Sequence, residues 1–123
     1  MGIKRYFASA DNTITNAFKS DLSIRGTGSN MGQSDILEVF SIYGQQSSTS
    51  SELSRILIDF SVSQISSDRT SGIIPAFGDV KFYLKLYNAE HPWTVPRDYK
   101  ISVTAASGSW QEGRGLDMDN YTD

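Results

Sequence analysis

The sequence predicts an all-β fold, an antiparallel β-sandwich or jelly roll forming a single domain over residues 1–123. Three observations carry this. Two segments alternate apolar and polar side chains with period two, candidate strands recur at spacings of roughly ten to twenty residues, and the connections are rich in Ser and Gly. At 123 residues the chain has the size of one domain with its own core.

Short strands are expected at 5–10, around Thr13-Ile14-Thr15, and at 22–25. The run Ile36-Leu37-Glu38-Val39-Phe40-Ser41-Ile42-Tyr43 is apolar on both faces, which suits a central strand. In 54–62, Ile56, Ile58, Phe60 and Val62 point inward while Arg55, Asp59 and Ser61 point outward; only Leu57 breaks the alternation. Val62–Thr70 is expected to hold the one short helix, near 63–70, with Ser63 as its cap and its end before Gly72 and Pro75. The clearest strand pattern lies at 79–88. There Val80, Phe82, Leu84 and Leu86 face a core, and Lys81, Tyr83, Lys85 and Tyr87 form an amphipathic outer face. His91-Pro92-Trp93-Thr94-Val95-Pro96 reads as an extended loop, and 99–105 as a further strand. Loops at 26–32 and 44–51 are dense in turn formers, the second being a poorly ordered hairpin tip.

Composition excludes several classes of function. A formal net charge of −3 with eleven scattered basic residues argues against nucleic-acid binding, which needs a clustered excess of Lys and Arg. The absence of cysteine removes disulfide frameworks, thiolate metal sites and thiol enzymes. No apolar run approaches the roughly 20 residues of a membrane span. The N-terminus lacks an apolar signal-peptide core, and residues 2–7 do not make a myristoylation context. Synthesis in a cytoplasm is the expectation.

The glycines of 26–32 suit a turn rather than a phosphate cradle, because no Lys-Ser/Thr pair or helix follows. Asp117-Met118-Asp119-Asn120-Tyr121-Thr122-Asp123 offers hard oxygen ligands but lacks the glycine and terminal glutamate of a calcium loop. It reads instead as an acidic contact for a partner. Glu112 and Asp117 could form an acid/base pair only at a separation that sequence does not fix. His91, the one histidine, has no nucleophile in its setting. Trp93 and Trp110, with Tyr83, Tyr87 and Tyr99, could stack against sugar rings. The alternative is that Trp110 plugs the end of the core and the tyrosines make subunit contacts. No catalytic residue, cofactor or metal is expected.

Taken in order, five pieces resemble a β-sandwich module known as DNRLRE. They are Ala10-Asp11-Asn12-Thr13-Ile14, Ser29-Asn30-Met31-Gly32-Gln33-Ser34, Arg55-Ile56-Leu57-Ile58-Asp59-Phe60, Phe82-Tyr83-Leu84-Lys85-Leu86-Tyr87 and Trp110-Gln111-Glu112-Gly113. The version found in virion structural proteins of T4-like marine and cyanobacterial tailed phages is favoured by Phe40-Ser41-Ile42-Tyr43, by Leu86-Tyr87-Asn88-Ala89-Glu90-His91 and by Gly115-Leu116-Asp117-Met118-Asp119. Modules of this kind continue beyond the Trp-x-Glu-Gly motif. The resemblance therefore implies an incomplete sandwich closed by a partner chain, or the N-terminal part of a longer domain.

It also implies a non-enzymatic virion component of a tail, baseplate or fibre, docking onto other virion proteins and copies of itself, with neither nucleic acid nor membrane as partner. Tyr83, Tyr87 and Tyr99 would supply contact area, 3–8 an arm or edge strand, and Trp110, Asp117, Asp119 and Tyr121 the joining tail. The alternative is a carbohydrate-binding module for a cell-surface or algal polysaccharide, with Trp93 and Trp110 as its platform; a fibre could use both properties on a host glycan.

Overall fold

A ten-residue strand, β3 (Ser51–Phe60), organises the sheet, with β1 (Ala8–Thr15) on one edge and β2 (Ser41–Tyr43) on the other, both antiparallel. The computed structural model describes residues 2–76, 78–90 and 98–116. β1 runs from Ala8 opposite Phe60 to Thr15 opposite Ser54, with a register irregularity between Ala8 and Ala10. β2 pairs Ser41, Ile42 and Tyr43 with Leu53, Glu52 and Ser51. Past Leu53, the β2 side of β3 carries no further strand among the described residues.

The periodic segment at 54–62 overlaps β3, which begins earlier, at Ser51, and ends at Phe60, and several neighbouring segments differ from expectation. The two short strands expected at 5–10 and 13–15 are replaced by one strand, β1, which begins only at Ala8 and leaves residues 5–7 outside it. The segment at 36–43 is not central: only Ser41–Tyr43 is a strand, and it lies on an edge with all three residues exposed. The residues at 22–25 make a turn instead of a strand. Leu22 has φ 55°, the Asp21 carboxylate accepts from the Ser23 amide at 3.0 Å and its hydroxyl at 2.6 Å, and only Phe18 and Arg25 form a β-bridge. Residues 79–88 and 99–105 carry no strand, and their alternating apolar side chains are largely exposed. Alternation specifies which face of a strand is apolar; it does not supply the non-local hydrogen-bond partner that makes a ladder.

The 44–51 tip is held in place rather than loose. The Gly44 amide donates to the Ser50 carbonyl at 2.7 Å, and the Ser50 hydroxyl accepts from the Gln46 and Ser47 amides at 3.1 and 3.2 Å. Beside it, Glu52 is 1% exposed. It accepts from the Phe18 amide at 3.0 Å, while the Gln45 side-chain nitrogen, turned to donate, lies 3.0 and 3.1 Å from its two oxygens. A buried carboxylate without such donors would be strongly unfavourable. Here it ties the 44–51 turn and the 16–18 segment to the start of β3.

The expected helix forms as α1 (Val62–Thr70), but its cap is Ser61 instead of Ser63. The Ser61 hydroxyl accepts from the Gln64 amide at 3.4 Å, and Ser63 only shares a hydroxyl contact with it. This shift places Val62 at the first helical position, exposed rather than inward as the β3 alternation suggested. Arg69 complements the negative end of the helix dipole, and Gly72 follows with φ 76°, a left-handed residue that glycine adopts without Cβ strain.

Asp68, buried on α1, holds the N-terminal arm. It accepts from the Tyr6 hydroxyl at 2.8 Å and pairs with the Lys4 ammonium at 3.2 Å. The bond from Tyr6 holds the Asp68 carboxyl below the usual carboxylate range against the opposing effect of desolvation, and Lys4 adds to the lowering. Desolvation first, and Asp68 second, hold the Tyr6 hydroxyl above its ordinary value, with Arg69 acting in the opposite sense. Because Asp68 is depressed in the folded chain, its contribution is complete above the ordinary carboxylate pKa and is lost as pH falls through the lower folded value. The Tyr6 ring resonances should therefore hold their folded positions down to about pH 4 and move to free-chain positions only below it. At neutral pH, Asp68→Ala should speed tryptic cleavage after Lys4 and Arg5; unchanged cleavage would show that the arm is held elsewhere.

Candidate functional site

The densest long-range polar contacts gather where β1, the loop at 29–34 and the segment 110–115 meet. Asn12, 3% exposed, donates from Nδ2 to the Glu112 carbonyl at 2.5 Å and accepts at Oδ1 from the Met31 amide at 3.1 Å. Asn30 donates to the same carbonyl at 3.1 Å, and its Oδ1 accepts from the Gly32 and Gly115 amides at 3.0 and 2.7 Å. The Gln33 amide donates to the Gly115 carbonyl at 3.0 Å. Two asparagine side chains thus satisfy backbone groups from segments some eighty to a hundred positions apart, which neither a strand nor a helix provides for here.

The glycines make this approach possible. A Cβ on Gly32 would overlap the Glu112 carbonyl, and one on Gly115 would overlap the Asn30 backbone. At Gly113 it would strike the Asn30 amide, in a residue whose φ of 77° already disfavours a side chain. Gly32 is accordingly a close-approach glycine in a clasp. Asn12 and Asn30 were legible as motif members but not as a joined pair, because the signal that unites them is tertiary.

The Glu112 carboxylate accepts from the Asp11 amide at 2.9 Å, on the edge of β1 away from β3. It thereby occupies a backbone donor that a further strand would otherwise take. Its conjectured acid/base partner, Asp117, lies outside the described residues, as do Asp119, Tyr121, His91 and Trp93. The possible calcium loop at 117–123 lies outside them too. Among the described residues no group of three His, Cys, Asp or Glu side chains is placed to hold a metal ion, and no helix is long and apolar enough to cross a membrane.

Trp110 is half-buried on the wall of a groove of about 500 Å³, together with Ile58, Phe60, Val62 and Ala106. Asp59 and Ser109 add polar groups, and the Ser9 hydroxyl donates to the Asp59 carboxylate at 2.7 Å. The groove can receive a flat apolar or mixed face. Tyr83, Tyr87 and Tyr99 do not join it: they lie outside any strand or helix, with Tyr83 83% and Tyr87 80% exposed. Hence the tyrosines and Trp110 do not form one platform.

Asn30→Ala should lower unfolding free energy by on the order of 1–3 kcal/mol, since it leaves the part-buried Gly32 and Gly115 amides without their acceptor while the Glu112 carbonyl keeps Asn12. Chemical denaturation should show a lower midpoint with an unchanged slope. Gly113→Ala should also destabilise, and in combination with Asn30→Ala the loss should be less than additive because the colliding amide is gone. Additive losses would dissociate the two residues. Comparison of the whole chain with protein-family models, with curated proteins and with solved structures yields no match.

Proposed function

We propose that this chain is a non-enzymatic structural module that works by assembly, a β-sandwich or jelly roll left incomplete in one copy and completed by neighbouring subunits. The observation that carries the reading is its surface. The chain exposes 10366 Å², whereas a folded monomer of 13.6 kDa is expected to expose about 6,600 Å². Among the described residues, only Met31 and Ile74 are buried apolar side chains, and each keeps some exposure, at 8% and 6%, while Ile3, Phe7, Phe82, Leu84, Leu86 and Val103 are exposed. A surplus of apolar surface marks an interaction face in a soluble chain, and obligate interfaces commonly cover more than roughly 2,000 Å².

The resemblance to phage virion modules supports a more specific reading: a component of a tail, baseplate or fibre, resident in the virion, whose partners are other virion proteins and further copies. Three of the five pieces that carry the resemblance, at 10–14, 29–34 and 110–113, are the ones joined by the asparagine clasp. Sedimentation of the full chain should give a species heavier than 13.6 kDa that dissociates on dilution or exposes apolar dye-binding surface. A well-folded monomer without such surface would overturn the assembly reading.

A second reading rests on the groove beside Trp110, whose apolar wall with adjacent polar groups suits the face of a sugar ring. A glycan array tests it: binding abolished by Trp110→Ala, with the circular dichroism spectrum intact, would establish a carbohydrate site. An array silent across cell-surface and algal polysaccharides would remove that reading.

A further inference from the structure

We infer that residues 79–88 are a homotypic docking strand, pairing antiparallel with the same segment of a second copy with Leu84 on the two-fold axis. The inference rests on the assembly reading and assigns it a surface and a partner. Residues 81–90 are all exposed and belong to no ladder, yet Phe82, Leu84 and Leu86 form an apolar row at alternate positions. Such a segment has both the backbone groups and the apolar face to add to another strand. Over the whole chain the surface exceeds that of an ordinary folded monomer by about 3,800 Å², and a standard interface takes roughly 800 Å² from each partner.

The side chains select a second copy because the segment is complementary to itself. In an antiparallel pair about a two-fold axis, positions equidistant from the centre face each other. The apolar row meets its counterpart only when the centre falls on a residue; a centre on a peptide bond would set it against Lys and Tyr. Centring on Lys81 or Lys85 sets an ammonium against its own copy, and centring on Tyr83 sets Lys81 against Lys85 twice. Like charges directly opposite are unfavourable. Centring on Phe82 avoids this and sets Lys85 against Asp79, yet it leaves Leu86 and Tyr87 without counterparts in the alternating segment, and centring on Val80 or Leu86 leaves still more of it unpaired.

Centring on Leu84 uses the whole pattern. Lys85 then faces Tyr83 and Lys81 faces Tyr87, each pair occurring twice, while Phe82 faces Leu86 twice and Leu84 faces Leu84. Every ammonium meets an aromatic ring. The same contact chemistry exists within one copy, where the Lys85 ammonium lies 4.9 Å from the centre of the Tyr87 ring. The lysines that deter indiscriminate edge pairing therefore also select a register.

Because the chain has no cysteine, single replacements report this geometry directly. Paired residues in an antiparallel ladder have Cα atoms about 4.5–5.5 Å apart, within disulfide reach. Full-length Leu84→Cys should oxidise to a dimer about tenfold faster than Tyr83→Cys, whose counterpart is displaced by two positions and lies beyond the ~7 Å limit. A mixture of Tyr83→Cys and Lys85→Cys should cross-link rapidly as a heterodimer. In the unsubstituted chain, amides at 81–87 should gain hydrogen-exchange protection as concentration rises, a readout independent of the variants' folding. Equal rates for Leu84→Cys and Tyr83→Cys, or protection independent of concentration, would overturn the seam. If sedimentation still showed an assembly, only the seam would fall; a well-folded monomer at every concentration would remove both seam and assembly.

Discussion

The Glu112 carbonyl, gripped by Asn12 and Asn30, is the constraint through which distant parts of this chain are held together. With only two buried apolar side chains among the described residues, hydrophobic burial within the chain leaves a small core to hold β1, the 29–34 loop and the 110–115 segment in place. Asparagine suits this role because its amide both donates and accepts. Each residue can bridge two backbone segments while remaining uncharged, which avoids the desolvation penalty that a buried ion would incur. The flanking glycines permit backbone approaches that any Cβ would block.

A similar use of polar side chains recurs elsewhere. Glu52 receives the Phe18 amide beside the β2–β3 turn, Ser50 fixes the turn itself, and Asp68 receives the N-terminal arm through Tyr6 and Lys4. Glu52 and Asp68 in this way bring segments distant along the chain together, at separations of 34 and 62 positions. Directional bonds specify geometry well, but their net contribution to stability is modest because water competes for the same groups. The exposed apolar side chains consequently hold a substantial unused source of stabilisation. Their burial in an assembly would couple the stability of each copy to the concentration of its partners.

Several features could be read directly from residue order. Ile56, Ile58 and Phe60 pointed to β3, and a serine cap followed by the stop at Gly72 and Pro75 placed α1 within Val62–Thr70. Glu52 was not recognised, although it shares the parity of Ile56 and Ile58 and so occupies an inward position. Its buried carboxylate becomes intelligible only once Phe18 and Gln45 stand beside it. The segment at 36–43 shows the converse: apolar residues on both parities suggested a central strand, yet only its last three residues pair, at an edge. Hydropathy does not report the number of neighbours a strand has.

By itself, the sequence determined local periodicity, turn chemistry and the two faces of segment 79–88, because these depend on neighbouring residues and side-chain parity. It also contained the Lys and Tyr spacing that makes that segment complementary to itself. Tertiary structure decided that Asn12, Asn30 and Glu112 converge, that Ser61 caps α1, and that Trp110 borders a groove while Tyr83, Tyr87 and Tyr99 stand apart from it. It also decided which alternating segments enter a ladder within this copy. The physical reason is that strand pairing and polar clasps join residues remote along the chain, and their formation depends on the positions of both partners.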